Sequence, residues 1–448
     1  MCYKIQAFFI FLLVSSQSLL AQSTGNSPYS SYGLGDFEPG GYIRNIGMGN
    51  VGISLANPEY INPLNPALVT NKRMGSLDST IKYMIFEAGV TAQFRGLLKN
   101  ELSQRTGGGN FSYFAFLFPV SKRWSSSVGL RPYSVVNNTY KTQSSVGSAL
   151  FNNYEDNNGG ISQFYLSNGL DISRSFSVGV QVGYLFGKIN REFLTQPFVP
   201  AAPGLMNQTG QNLNTSYSGF EIRPGFQFRK AIMKDTSESG QSLYLSVGGT
   251  ANFTSLRAKE QLKYVTKRVY DEEYIDTLLP AIYWKPELWP TTSSNLKLPN
   301  SYSFGISLDD PSKWGAEIDF TYAPWSGFRG EGNVTYQNSY TVNIGGEYKL
   351  GRDENIKRKE LRAGFSYSKT PYSINGTQIN DVNFTLGSTL PFGRKDARFK
   401  SKPLTKINLA LVAGQRGTTD NNLVRENYIR FYAGILINDR WFQKRKID

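Results

Sequence analysis

The sequence predicts an all-β fold, a transmembrane antiparallel β-barrel of about 14 strands. Three observations predict it. Period-two alternation recurs down the chain, no apolar run after residue 21 is long enough for a spanning helix, and long and short connections alternate between the early strand segments. Arg174 to Tyr184, RSFSVGVQVGY, shows the pattern: Phe176, Val178, Val180, Val182 and Tyr184 fall on one side, with Ser175, Ser177, Gly179, Gln181 and Gly183 on the other. Such a strand suits a wall with lipid outside and water or a polar lumen inside.

The chain has 448 residues, 40% apolar and 14% aromatic, which is enough to build a core and argues against disorder. Residues 1–21 read as an export signal: Lys4 is the positive start, Phe8 to Val14 the apolar centre, and Ser18 to Ala21 the processing region. Cys2, the single cysteine, precedes the apolar centre, on the wrong side for lipidation at the cut. A mature chain without cysteine has no disulfide, which fits a bacterial exported protein. Residues 22–78 carry turn formers, including Gly47-Met48-Gly49, Asn62-Pro63 and Asn65-Pro66, and predict loops and short helices.

Residues 79–448 are the expected barrel. The strand segments are 80–96, 110–120, 124–137, 161–171, 175–192, 213–229, 241–256, 299–310, 314–326, 337–350, 360–370, 381–391, 404–414 and 427–438. An even count lets a bacterial barrel close with both ends on one side. Clean apolar faces include Ala316, Ile318, Phe320 and Tyr322, and Phe431, Ala433, Ile435 and Ile437. Long connections are expected after strands one, three, five and seven, and short turns after two, four and eight. Those after six, ten and twelve, about ten residues each, follow the alternation poorly. Trp124, Tyr133, Trp314, Trp325, Tyr348, Tyr372, Tyr428, Trp441 and Phe442 stand near strand ends, where amphipathic rings suit the headgroup level.

The formal charge of +14 falls largely in turns, such as Lys122-Arg123 and Arg394 to Lys402, which read as solvated turns or headgroup contacts rather than a nucleic-acid track. There is no histidine, so histidine triads and histidine metal sites are excluded. Without cysteine in the mature chain, thiolate chemistry is excluded too, and no serine lies in a GxSxG setting. The reading is therefore a non-enzyme with no cofactor and no metal. Paired acids such as Asp309-Asp310 read as solvated loops.

The opening SPYSSYGLGDFEPGGYIRNIGMGNVGISLANPEYINPLNPALV resembles Bacteroidetes outer-membrane proteins related to the FadL-like transporters of long-chain fatty acids and other hydrophobic compounds. The matching residues are Ser27 to Ser30, Tyr32 to Gly35, Arg44 with Gly47 to Gly49, and Asn65-Pro66-Ala67. The closing Glu426 to Lys446 also resembles that group, whereas the middle matches only in strand rhythm. The barrel component of the type IX secretion apparatus is a neighbouring group with a similar N-terminal pattern. The resemblance implies a fourteen-stranded barrel, an N-terminal segment folded inward as a plug, and a greasy ligand that enters from outside. Arg44, Gly47, Gly49, Asn65 and Pro66 are then the expected plug and gate positions; the alternative is a glycine-rich leader outside the barrel.

On the wall, alternation points Glu317 and Asp319 inward on strand nine, Arg362 on strand eleven, and Glu221 and Arg223 on strand six if Ile222 faces lipid. Ion pairs between wall and plug are the economical reading of these charges, and a gate uses the same residue types. The longest expected loop, Arg257 to Lys297, holds Trp284, Leu288 and Trp289, which suit ligand capture, a self-packed lid or a partner contact. The function read from this is passive uptake of hydrophobic small molecules across the bacterial outer membrane, with membrane lipid and that ligand as partners. The alternative is a non-transporting barrel that serves as an assembly or protein-secretion partner.

Overall fold

The computed structural model describes residues 27–70, 83–198, 206–234, 242–269, 291–329, 335–350, 359–392 and 405–440. The expected signal and Trp284, Leu288, Trp289, Trp441 and Phe442 lie outside the described residues.

One antiparallel sheet closes on itself. Its strands are β1 (Tyr83–Lys99), β2 (Leu102–Pro119), β3 (Trp124–Val146), β4 (Ala149–Asp171), β5 (Phe176–Phe198), β6 (Met206–Lys234) and β7 (Ser242–Val269). Next comes β8, in two pieces (Thr291–Lys297 and Ser301–Asp310) broken around Pro299, then β9 (Trp314–Ala323) and β10 (Thr335–Tyr336 and Ser339–Leu350). β11 (Lys359–Ile374), β12 (Thr377–Phe392), β13 (Thr405–Arg416) and β14 (Arg425–Arg440) complete the wall. β14 pairs with β1 from Arg425↔Leu98 to Arg440↔Tyr83, so the barrel has fourteen strands. Strand 1 begins and strand 14 ends at one rim, called here the terminal rim; the other is the far rim.

Alternation explains the wall. On β9, Ile318 and Phe320 are 55% and 47% exposed while Glu317 and Asp319 between them are buried. On β5, Val180, Val182 and Tyr184 face out, and Ser177 and Gln181 are buried inside. Exposed apolar side chains around a polar interior suit hydrocarbon outside, and closure leaves no general sheet edge to satisfy.

Several elements differ from expectation. The connections after β1 and β3 are two-residue turns, Asn100-Glu101 and Gly147-Ser148, because the flanking strands continue far beyond the apolar band. Asn100 and Gly147 take positive φ, 52° and 62°, as such tight turns require. β6 and β7 have 29 and 28 residues, whereas β9 has 10. At roughly 3.3 Å per residue the longer pair runs on the order of 90 Å, far past an apolar band of about 25 Å. Beyond that band both faces of a strand meet water, so alternation disappears from the sequence although pairing continues.

Four of the aromatic residues expected at headgroup level point inward. Trp325, Tyr372 and Tyr428 are buried, and Tyr133 packs edge-on against Phe37 with centroids 5.7 Å apart. Trp325 and Tyr372 belong to an apolar cluster inside the barrel with Leu34, Leu185, Leu256, Leu298 and Tyr336. Trp124 and Tyr348 are exposed as expected, at 42% and 53%.

The N-terminal residues 27–70 contain a 3-10 turn (Pro28–Ser31), a two-residue strand (Asp36–Phe37), a one-turn helix (Ile43–Ile46) and a second 3-10 turn (Pro66–Leu68). Most of this segment is buried, and its polar groups bond to inward-facing wall residues. Short elements with many turns leave backbone groups unpaired, which the wall must satisfy.

Candidate functional site

Two assemblies join the N-terminal segment to the wall. The first lies toward the terminal rim and is built from charge. Arg44, on the one-turn helix, donates from Nε and Nη2 to Glu347 of β10 at 3.1 and 2.9 Å. Arg362 of β11 reaches the same carboxylate at 3.5 Å, bonds Thr389 at 2.7 Å and pairs with Glu360. Tyr60 donates to Glu360 at 2.8 Å, and Arg44, Arg362 and Lys406 each stand within 5.3 Å of its ring centre. Burial works against the Arg44 cation, but Glu347 outweighs it and lifts the guanidinium above its ordinary range. Taking either partner away strands a buried charge.

Carboxylates also hold backbone. Glu317 accepts from the amides of Ser54 and Leu55, the latter at 3.0 Å, and from Ser54 Oγ at 2.9 Å. Asp319 accepts from the amides of Gly52 and Ile53 at 2.8 and 3.2 Å. Four successive N–H groups therefore end on two adjacent wall carboxylates. Arg223 pairs with Glu221 at 3.0 Å and donates to Pro63 O at 3.1 Å. Asn65 caps the second 3-10 turn through Ala67 N–H and ties the carbonyls of Ile53 and Phe226, and Pro66 fills the first position of that turn. Gly49 has φ +70° and donates to Thr385 Oγ1 at 2.7 Å; Gly47 packs on Gly387. The structure thus places all five N-terminal and all five luminal candidates in one buried contact zone.

Sequence reasoning missed a belt of wall glycines. A Cβ on Gly345 would collide with Met48 O, one on Gly364 with Gly49 N, one on Gly248 with Ile53 O and one on Gly179 with the Pro66 carbonyl. They sit on β10, β11, β7 and β5, where the backbone of the segment docks directly on the wall. Glycine at inward positions of several strands was the available signal, since a strand interior gains nothing from glycine unless another backbone approaches. Asp309, expected in a solvated loop, is instead buried at the end of β8 and pairs with Arg229 at 2.7 Å.

The second assembly is a seam between β2 and β3. The ladder runs only from Pro119↔Ser125 to Phe114↔Leu130 and then stops. A bulge between Pro132 and Ser134 turns β3 away, and Pro132 has no N–H to offer. The freed edge of β3 is taken by the N-terminal segment: Asp36 pairs with Val135, Phe37 with Ser134, Ser27 N–H donates to Asn137 O and Glu38 N–H to Tyr133 O. Arg416 pairs with Asp36 at 2.7 Å, and Arg95 with Glu426 at 2.9 Å. Burial would raise the Asp36 carboxyl, but Arg416 and Arg95 more than offset it and hold it below the ordinary range. For Glu38 burial wins and the carboxyl is raised. A narrow cleft lined by Asn110, Phe111, Pro39, Arg131 and Pro132 marks the seam. Behind it is a cavity of about 450 Å³ whose lining includes Asp36, Glu38, Arg131, Asp319, Arg416 and Arg430.

Among the described residues no group of three acidic, histidine or cysteine side chains could hold a metal. A family model described as BamG matches residues 1–448, the whole chain. The chain belongs to the BamG family. Among curated proteins none matches this BamG-family chain. Among solved structures, the P. putida toluene transporter TodX superposes with TM-score 0.56 at 15% identity, covering 91% of this chain and 100% of its own. The CymD monoaromatic hydrocarbon channel gives 0.52 at 14%, covering 92% and 99%. A Pseudomonas aeruginosa FadL homologue gives 0.52 at 13%, covering 91% and 98%. At these identities the likeness is one of fold: the BamG-family chain has the fourteen-stranded barrel of the FadL-like hydrocarbon channels.

Proposed function

We propose that this BamG-family protein is a bacterial outer-membrane barrel that admits hydrophobic small molecules, with long-chain fatty acids as the representative class, and that residues 22–78 act as its plug. The observation that carries the reading is the interrupted β2–β3 ladder, the place in the wall where a side opening between lumen and lipid can form. An apolar solute collected at the far rim meets the inner apolar cluster of Leu34, Leu256 and Trp325. Leaving sideways, it avoids the charged layer around Arg44 and Glu347, and transfer of apolar area from water to lipid supplies the driving force. The structural neighbours TodX, a toluene transporter, and CymD, a monoaromatic hydrocarbon channel, support the same reading. Arg44, Gly47, Gly49, Asn65 and Pro66 fasten the plug to Glu347, Gly387, Thr385, Phe226 and Gly179 of the wall. Asp319, Glu317, Arg362 and Arg223, the last braced by Glu221, hold its residues 52–63, while Trp284, Leu288 and Trp289 collect ligand at the loop.

The test is uptake of a fluorescent long-chain fatty acid into liposomes that hold the purified barrel. Linking Asn110→Cys to Pro132→Cys with a short bis-maleimide should abolish the uptake measured for the same double variant before linking. Uptake that persists through the linked cleft would count against the side opening.

A second reading, a non-transporting barrel that serves in assembly or protein secretion, is favoured by the cavity behind the seam. Asp36, Glu38, Arg131, Asp319, Arg416 and Arg430 stand among its apolar lining residues, and an apolar solute would have to displace water from them on entry. No uptake by the unlinked barrel, together with a stoichiometric co-purifying protein and no enriched lipid, would establish that reading over the first. A Bacteroidetes source goes with the uptake reading as well, whereas a link to type IX secretion belongs to this second one.

A further inference from the structure

The seam has two lips, and only one carries a strand. The β3 lip is paired by Asp36–Phe37. The β2 lip, from Gly107 to Ser112, pairs with β1 on its other side from Gly107 to Phe111, Ser112 being the extra residue of a bulge, and among the described residues no strand pairs with the side that faces the seam. Phe111 N–H turns instead to the side chain of Asn110 at 2.8 Å. This stretch stands at the level of the apolar exterior: Gly107 lies opposite Phe94, which is 60% exposed, and Phe94 lies opposite Ile429, 45% exposed. Peptide groups left unpaired at that depth are costly, because hydrocarbon offers them no hydrogen bond.

We infer that the seam-facing edge of β2, Gly107 to Ser112, is a docking site for an extended strand of another membrane protein, which adds to the wall by main-chain hydrogen bonds. Three features support that occupant. The opposite lip already takes a strand in the same manner, so the seam accepts added β-structure. Gly107, Gly108 and Gly109 carry no side chains, which lets a second backbone approach closely. A second copy of this chain, rotated about the membrane normal, would present its own β2 running in the same direction. Such a parallel pair is less stable per residue than the antiparallel pairs at every seam of this barrel. The docked strand therefore runs from the terminal rim toward the far rim, with apolar residues outward beside Phe111. It would block sideways passage through the same cleft, so docking and uptake are alternative states of one seam.

Amide hydrogen exchange of the wild-type protein tests it, read in native outer-membrane vesicles and in liposomes made from the purified barrel and lipids extracted from that membrane. Amides within Gly107–Ser112 should exchange at least about tenfold more slowly in the native vesicles, while amides of β9 exchange equally in both. Equal exchange at Gly107–Ser112 would overturn the inference, and so would protection already present in the liposomes, which would assign the cover to lipid or to a second copy. A photo-crosslinking residue in place of Phe111 should join a segment of alternating apolar and polar residues from a different membrane protein, with no such product from Phe304 on another part of the wall. Crosslinks from Phe111 only to lipid or to this chain would refute it. The fatty-acid assay is run in liposomes without any partner, so its failure and this one are separable.

Discussion

The clamp near the terminal rim and the seam beside β2 bind the same N-terminal segment by different physics. In the clamp, Arg44, Glu347, Arg362, Glu360 and Tyr60 share partners, and two carboxylates hold four successive amides. At the seam, a two-residue strand and a few backbone bonds lie along one lip, backed by the Asp36–Arg416 pair. Removing one member of a mutually dependent buried network leaves others uncompensated, whereas a short added strand peels away one bond at a time. The clamp is therefore expected to hold the segment while the seam opens first.

Breaking the clamp should have the largest effect. Glu347→Gln deprives buried Arg44 of its carboxylate and is expected to cost roughly 3–5 kcal/mol. Thermal unfolding in detergent should fall accordingly, and a protease should gain access to residues 44–70. If Glu347→Gln left both unchanged, the clamp would not be the anchor. Next, Gly345→Ala sets a methyl against Met48 O, where backbone meets backbone, and should cost about 1–3 kcal/mol. Because the strain falls on the docked segment, the barrel wall should still close, as read by its heat-modifiable mobility on a gel.

Changes at the seam should be smaller and local. Asp36→Asn removes the charge that pairs with Arg416 and Arg95, but Glu426 remains beside both arginines, so the local opening free energy should fall by about 1–3 kcal/mol rather than by the full cost of a stranded charge. Faster amide exchange should appear in residues 27–39 only, with global unfolding unmoved; a shift in global unfolding would mean that seam and clamp are one cooperative unit. The smallest effect is that of pH. The Asp36 carboxyl is depressed in the folded protein, so its contribution is complete above the ordinary Asp range and is lost as pH falls through the depressed value. The Glu38 carboxyl is raised, so its burial is easiest in acid and becomes a cost as pH climbs through the raised value. Protection of residues 27–39, measured against the intrinsic exchange rate at each pH, should therefore be greatest in mildly acidic buffer and fall on both sides. Asp36→Asn should erase the acid limb alone.

Much of the wall is legible in sequence because a lipid exterior and a polar interior impose period two on each residue pair. Ile318 and Phe320 alternate with Glu317 and Asp319 for that reason alone, and both carboxylates point inward as alternation requires. The pattern fades where bilayer gives way to water, so the upper parts of β3 to β7 read as loops although they are strands. Inward aromatic residues such as Tyr133 and Trp325 look the same in sequence as those at a headgroup, since a ring with one polar end suits either place.

By itself, then, the sequence determined the closed antiparallel wall, its strand number and which charges face inward, because those depend on local alternation and on the dielectric at each face. Only the tertiary structure decided which inward charges meet: Arg44 finds Glu347 across 303 positions of chain, a distance over which no local rule acts. It also decided where the ladder breaks. Pro132 and the bulge after it are visible as residues, but the opened seam, and the segment laid along one lip of it, exist only once fourteen strands have closed and the N-terminal backbone has settled on the glycines of the wall.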